Sequence, residues 1–246
     1  MSTTPKCDEE ESNMGRTLVM SDIHGMADEL FLLLDGIRYK HTEDHLIVLG
    51  DYIDRGPNSK DILDYFIKLK KIAGEKLLLL RGNHEDLCIK AFHDKPAYGH
   101  DAASLWVENG GGATLKSFGK ANLTEYISFM EKLPVFAEMD EYIFVHGGVN
   151  PGLQLSHTDP EDLLWTRNYA AHISGKTVVV GHSIKPEVTF LPDAKTLCVD
   201  TGAFTGMYGR GGRLSVVDLT DNMIHWIPTC SRGTHELVSE NLVMWV

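Results

Sequence analysis

Asp22, His24, Asp51, Asn83, His146 and His182 are all residue types that bind divalent metals, and each follows a short apolar run. Thr17-Leu18-Val19-Met20 leads into Ser21-Asp22-Ile23-His24-Gly25, and Leu46-Ile47-Val48-Leu49 leads into Gly50-Asp51. Leu77-Leu78-Leu79-Leu80 leads into Arg81-Gly82-Asn83-His84-Glu85. Later, Tyr142-Ile143-Phe144-Val145 runs into His146-Gly147-Gly148, and Thr177-Val178-Val179-Val180 into Gly181-His182-Ser183. The separations of 29 and 32 residues between Asp22, Asp51 and Asn83 each match one strand–helix–strand unit. Open α/β sheets bind ligands outside the carboxyl ends of their strands, so these side chains are expected to converge there. On extended backbone, Asp22 and His24 would point the same way.

Oxygen and imidazole ligands in this mixture suit Mn, Fe or Zn. Six protein ligands are too many for one metal with an open position, but they divide well over two. A shared carboxylate would hold the two ions about 3.5–4 Å apart, the spacing of two-metal hydrolases. Singly, each residue has an ordinary reading, such as a helix N-cap for Asp. Six in this order and spacing are hard to explain that way. Arg55 follows Asp51 by four positions and Arg81 precedes Asn83 by two. A guanidinium fork matches phosphate oxygens bidentately, although either arginine taken alone reads equally well as a surface or ion-pairing residue.

With these motifs in place, the sequence resembles the PPP family of metal-dependent phosphoprotein phosphatases. The residues that carry the resemblance are Asp22-Ile23-His24-Gly25, Gly50-Asp51-Tyr52-Ile53-Asp54-Arg55-Gly56, Gly82-Asn83-His84-Glu85, His146-Gly147-Gly148 and Gly181-His182. Short bacterial and phage members are also similar in Trp165-Thr166-Arg167 and in Asn109-Gly110-Gly111 before an Ala-Thr-Leu helix. The resemblance implies an α/β calcineurin-like metallophosphoesterase fold, with mixed sheets packed as a central sandwich flanked by helices. It implies that Asp22, His24 and Asp51 hold one metal and that Asp51, Asn83, His146 and His182 hold the other. Mn is the first choice, and Fe or Zn also suits the ligands. His84 would be the general acid, Asp54 its orienting carboxylate, and Arg55, Arg81 and Arg167 a phosphate clamp. The implied activity is removal of phosphate from phosphoserine and phosphothreonine proteins by direct attack of a dimetal-bound hydroxide. The alternative is a bis(5'-nucleosyl)-tetraphosphatase built on the same metal site.

Two departures stand out. Ser21 occupies a position where the family usually has Gly, which would be strained if the backbone there needs positive φ. Gly181-His182-Ser183-Ile184 also lacks the second His of the G-H-x-H found widely in metallophosphoesterases, which favours phosphomonoesterases over phosphodiesterases.

The elements that must position these residues follow from the pattern. Apolar runs at 17–20, 46–49 and 77–80 read as buried strands. They are separated by helices containing Leu30, Leu33, Leu34 and Ile37, and Ile62, Tyr65, Phe66 and Leu69. That alternation predicts right-handed βαβ units in a parallel sheet. Residues 86–133 read as helical, with a turn or loop at Asn109-Gly110-Gly111-Gly112. Strands over 142–145, 177–180, 196–199, 213–218 and 223–227 predict a second half of antiparallel or mixed sheet.

The chain has 246 residues with a net charge of −12, 43% hydrophobic and 24% charged. This is globular composition. The acidic balance argues against a nucleic-acid partner. The lack of any apolar run near the ~18 residues of a membrane span argues against a membrane. Residues 1–15 read as an acidic disordered tail and 16–246 as one catalytic domain. Cys7, Cys88, Cys198 and Cys230 are scattered with no C-x-x-C, as expected of free thiols in a cytoplasmic protein. The expected partner is a phosphorylated protein or peptide, and the chain is expected to act as a monomer.

Overall fold

A computed structural model describes residues 15–97, 99–139, 141–229 and 235–244. The expected tail, apart from Gly15, and both Cys7 and Cys230 lie outside these residues. Cys88 and Cys198 are free and buried.

Strands β1 (Thr17–Met20), β2 (His45–Val48) and β3 (Leu77–Leu79) are parallel, and are joined by helices α1 (Ala27–Gly36) and α2 (Ser59–Ala73). Helix α3 (Asn83–Phe92) begins directly after β3. A short hairpin, β4 (Pro96–Ala97) and β5 (His100–Asp101), comes before α4 (Ala102–Trp106), α5 (Gly112–Phe118) and α6 (Thr124–Met130). Then follow β6 (Phe136–Glu138), β7 (Tyr142–Val145), α7 (Pro160–Trp165), β8 (Thr177–Val180), β9 (Thr189–Leu191) and β10 (Thr196–Cys198). The chain closes with β11 (Arg213–Asp218), β12 (Met223–Pro228) and β13 (Val238–Asn241).

The strands form two large sheets, ordered β13-β12-β11-β1-β2-β3 and β6-β7-β8-β10-β9. In the first, the antiparallel meander of β11 to β13 extends the parallel strands through the β1–β11 pair. In the second, β7, β8 and β10 are parallel, with β6 and β9 antiparallel at the edges. The expected mixed sandwich is therefore present, although the second sheet is parallel at its centre.

Period-two alternation explains why the strands read as unbroken apolar runs. Val19, Ile47, Phe144, Val179 and Leu197 pack between the two sheets. Their neighbours Leu18, Met20, Leu46 and Val48 face Leu30, Leu33, Ile62 and Phe66 of α1 and α2. On the far side Ile143, Val145, Val178 and Val180 pack with Leu155 and Leu163. Burying each such Leu, Ile or Val is worth about 1.5–3 kcal/mol, so three stacked apolar layers hold the strand ends in register.

The middle of the chain is helical as expected, and of the turn or loop expected at Asn109-Gly110-Gly111-Gly112 it is the turn that is present. Val107–Gly111 forms a wide π-type helical turn between α4 and α5, and only Gly110 leaves helical geometry, at φ 108°. The expected helical reading missed the β4–β5 hairpin. No helix among the described residues is long and apolar enough to cross a membrane.

Candidate active site and metal centre

Asp22 and His24 follow β1, Asp51 follows β2, and Asn83 opens α3 after β3. His146 and His182 follow β7 and β8 of the other sheet. The two sheets thus deliver their carboxyl ends to one crevice, where the side chains of His24, Asp51, Asn83, His146 and His182 meet, while the Asp22 carboxylate lies alongside, outside the two metal-suited groupings that share Asp51. The route differs from the expected extended backbone. Asp22 (φ 49°), His24 (φ 47°), Asp51 (φ 56°) and His182 (φ 62°) are all left-handed, as are Asp54 and Arg55. Such conformations are sparse for residues other than Gly and persist only where surrounding contacts fix them. Here the loops are laced together by His24 N–H to Asp51 O at 2.9 Å, Gly25 N–H to Tyr52 O at 3.0 Å and Gly181 N–H to His146 O at 2.9 Å. Ser21 is not among the positive-φ residues, so it carries no such strain, and its hydroxyl donates to Asp22 Oδ2.

Asp51 Oδ2 stands at the centre. It lies 3.4 Å from His24 Nε2, 3.4 Å from His146 Nε2 and 3.9 Å from His84 Nε2. Two groupings suited to a metal ion share it: His24, Asp51 and His84, and Asp51, His146 and His182. Asn83 Oδ1 meets His146 Nε2 at 2.8 Å and His182 Nδ1 at 3.0 Å. Asp22 Oδ2 accepts the His182 N–H at 2.9 Å.

The donor set fits cations. His24 Nδ1 lies 2.8 Å from Ile53 O and His146 Nδ1 lies 3.0 Å from Leu49 O. Donation to those carbonyls fixes the tautomer and leaves both Nε2 lone pairs facing Asp51. His182 Nε2 is buried with no hydrogen-bond partner among the described residues.

The site's charges are strongly perturbed. Burial would raise Asp51, yet His146 and His84 hold its carboxyl well below the usual range. Burial and then Asp200 push Asp22 well up. Burial opposes protonation of His146, but Asp51 and Asp22 lift it to about 9. Burial and then His146 press His182 down to about 3.

His84 follows Asn83 and points into the same crevice. Its Nδ1 lies 2.7 Å from Asp54 Oδ2, and both side chains are buried. Burial lowers its pKa, but Asp51 and Asp54 outweigh that and leave it above its ordinary value. Arg55 donates to Nε2 of both His24 and His84 at 2.9 Å, and its guanidinium lies 4.4 Å over the Phe204 ring. Arg55 therefore holds the lone pair that a cation on His24 would take. A cleft of about 380 Å³ opens beside it, walled by Val107, Glu108, Gly110, Phe204 and Tyr208.

The other two arginines are placed differently. Arg81 donates to the Glu131 and Leu133 carbonyls and faces Asp86 at 3.5 Å. Arg167 is exposed, and near enough to His182 to add to the lowering of its pKa.

Several supporting residues escaped the sequence reading. The Glu85 carboxylate accepts the N–H groups of Asp51, Tyr52 and Gly82 at 2.8–2.9 Å, tying two ligand loops together. Burial and the Asp51 charge push it to about 7. Asp200 is buried beside Asp22. Trp106 Nε1 reaches both Asp54 oxygens, and Thr114 Oγ1 reaches Oδ1 at 2.6 Å. The one available signal was a glycine run inside a helical stretch, which often marks a close approach.

Among curated proteins, a Schizosaccharomyces pombe protein with a provisional serine/threonine-protein phosphatase name is 33% identical over 152 residues. That match covers 59% of this chain and 44% of the yeast protein. The symmetrical bis(5'-nucleosyl)-tetraphosphatase of Vibrio vulnificus is 29% identical over 158 residues, 61% of this chain and 53% of its own length. The chain spans about half the length of these curated relatives. Two solved structures share the fold. One is a provisionally named diadenosine tetraphosphatase, with TM-score 0.67 and 18% identity, covering 89% of this chain and 96% of its own. The other is a protein serine/threonine phosphatase from Saccharomyces cerevisiae, with TM-score 0.65 and 16% identity, covering 96% and 82%. The family described as calcineurin-like phosphoesterase matches residues 15–203, a span that holds every ligand candidate and the His84–Asp54 pair. That match agrees with the resemblance carried by the motifs, and the chain belongs to the calcineurin-like phosphoesterase family.

Proposed function

We propose that this metallophosphoesterase hydrolyses phosphomonoesters of serine and threonine in proteins. The observation that carries the reading is the buried His84–Asp54 pair, joined at 2.7 Å beside the metal-ligand cluster. A serine or threonine alkoxide is a poor leaving group and needs a proton as its bond to phosphorus breaks. His84 Nε2 faces the crevice and would deliver that proton, while Asp54 keeps Nδ1–H directed and stabilises the imidazolium. Arg55 would leave the histidines to take the phosphoryl oxygens, with Arg167 adding to the clamp and Arg81 joining it only by releasing the Glu131 and Leu133 carbonyls.

Asp22, His24 and Asp51 would hold one divalent ion, and Asp51, Asn83, His146 and His182 a second, with Mn preferred. Such ions would supply positive charge for the phosphoryl oxygens and acidity for a nearby water.

The second reading, dinucleoside tetraphosphate hydrolysis, has support from the names of the Vibrio relative and one solved structure. Its leaving nucleotide is already a stable anion, so it gives the acid pair less to do. One Mn-loaded preparation, assayed on a phosphoserine peptide and on diadenosine tetraphosphate, separates them. The expected kcat/KM is greater on the peptide by about tenfold or more, ~1.4 kcal/mol of transition-state binding. The opposite ranking would replace this reading with the second.

A further inference from the structure

We propose that Trp106 and Thr114 are positioning residues for the proton donor, acting through Asp54. The inference rests on His84 as the leaving-group acid.

The hydrogen bonds around Asp54 admit one consistent set of donors. Trp106 Nε1 can only donate, and it lies 3.0 Å from Oδ1 and 2.9 Å from Oδ2. Thr114 Oγ1 lies 2.6 Å from Oδ1 and also accepts the Asp54 N–H at 2.9 Å. Its single proton therefore goes to the carboxylate, and Ser59 Oγ, 3.0 Å away, donates to Thr114 in turn. Asp54 is fully buried, Thr114 nearly so, and Trp106 is 6% exposed. The carboxylate is thus gripped from behind by an indole and a hydroxyl, and the front of Oδ2 is given to His84 Nδ1.

The wide turn makes this grip geometrically available. A Cβ at Gly111 would lie 2.6 Å from the Trp106 indole, so the ring lies flat against backbone that only glycine leaves clear. Across the same turn, Gly110 O accepts the Arg55 N–H at 3.2 Å. One segment therefore supports Asp54 and the adjacent Arg55 together. Neither Trp106 nor Thr114 touches the crevice side of His84, so the predicted effect is on proton delivery and not on binding.

The test uses the full chain loaded with Mn and two substrates that differ in leaving group: a phosphoserine peptide and p-nitrophenyl phosphate. The variants are Trp106→Phe, which keeps a ring against Gly111, Thr114→Val, which keeps the shape, and Thr114→Ser, which restores the hydroxyl. His84→Asn is the reference. Trp106→Phe and Thr114→Val should each lower kcat on the peptide about tenfold or more, a fraction of the usual 10²–10⁴ worth of a positioned acid. On p-nitrophenyl phosphate the loss should stay within about threefold, because that leaving group needs little protonation. KM and the number of bound Mn ions should not change, and Thr114→Ser should recover most of the loss. A merely structural role would lower both substrates alike. Equal losses on both, or none on the peptide, would overturn the inference. If His84→Asn itself shows no leaving-group dependence, the assignment of the acid fails instead. If His84→Asn shows it and both Trp106→Phe and Thr114→Val do not, only the positioning role fails. A variant that does not fold leaves the other and Thr114→Ser to decide.

Discussion

His146 and His182 share the Asn83 amide oxygen yet are displaced in opposite directions, to about 9 and about 3. The sign of each fixes a stability trend for the metal-free chain. His146, raised above its ordinary 6.5, contributes stability that is full below that value and is lost as pH rises through about 9. His182, depressed to about 3, favours the fold when neutral, so stability falls as pH drops below 6.5 toward 3. Glu85, raised to about 7, contributes stability that is lost as pH rises from 4.5 to 7 and so offsets the His182 limb. That leaves a fall in Tm as pH rises from 6.5 through about 9 as the expected result of thermal unfolding in chelator. Saturating Mn should flatten the alkaline limb, because a cation would then do what the His146 proton does. A Tm that rises steadily from pH 5 to pH 9 in chelator would show that Asp51 and Asp22 do not set the charge of His146. The six candidate ligand residues stand out in the sequence because each follows an apolar run. The left-handed backbone at Asp22, His24, Asp51 and His182 does not, because tertiary hydrogen bonds between loops impose it against local preference.

At the scale of elements, the turn between α4 and α5 is the piece on which most depends. Gly110 sits at φ 108°, and a Cβ there would lie 2.9 Å from Arg55 Cγ and 3.0 Å from Arg55 N. Gly110→Ala would meet both the steric penalty of that backbone region and this collision, together about 1–3 kcal/mol of stability. Arg55 would be displaced, so KM for a phosphate ester should rise several-fold in a variant that still folds and binds Mn. An unchanged KM alongside a lowered Tm would mean the turn supports the fold but not the clamp. The same turn marks the limit of sequence reading. Apolar period revealed β1, β2, β3, α1 and α2, because those elements bury whole faces in the three apolar layers. Three-residue edge strands such as β6 and β9, and the two-residue β4 and β5, carry too few side chains for any period to show. Trp106 lies 52 residues from Asp54, and nothing local to either residue announces the contact.

At the scale of the whole molecule, the chain carries a net charge of −12, while the proposed substrate carries a phosphate dianion. Two effects therefore oppose each other. Within the crevice, Arg55 and any bound cations would attract the phosphoryl group at contact distance, where salt screens little. Beyond it, the surplus of acidic side chains repels anionic substrates over the Debye length, about 30 Å at 0.01 M salt and about 8 Å at 0.15 M. Long-range charge acts mainly on encounter rate, so it should appear in kcat/KM and not in kcat. Raising salt across that range should increase kcat/KM a few-fold for an acidic phosphopeptide. For a peptide with Lys and Arg flanking the same phosphoserine it should decrease kcat/KM, because the attraction is then what salt removes. Opposite slopes on the two peptides, with kcat constant, would show that the acidic surface selects basic phosphoprotein segments before the crevice reads the phosphate. A decrease for both would mean that the local arginine and metal field reaches past the rim and governs approach by itself.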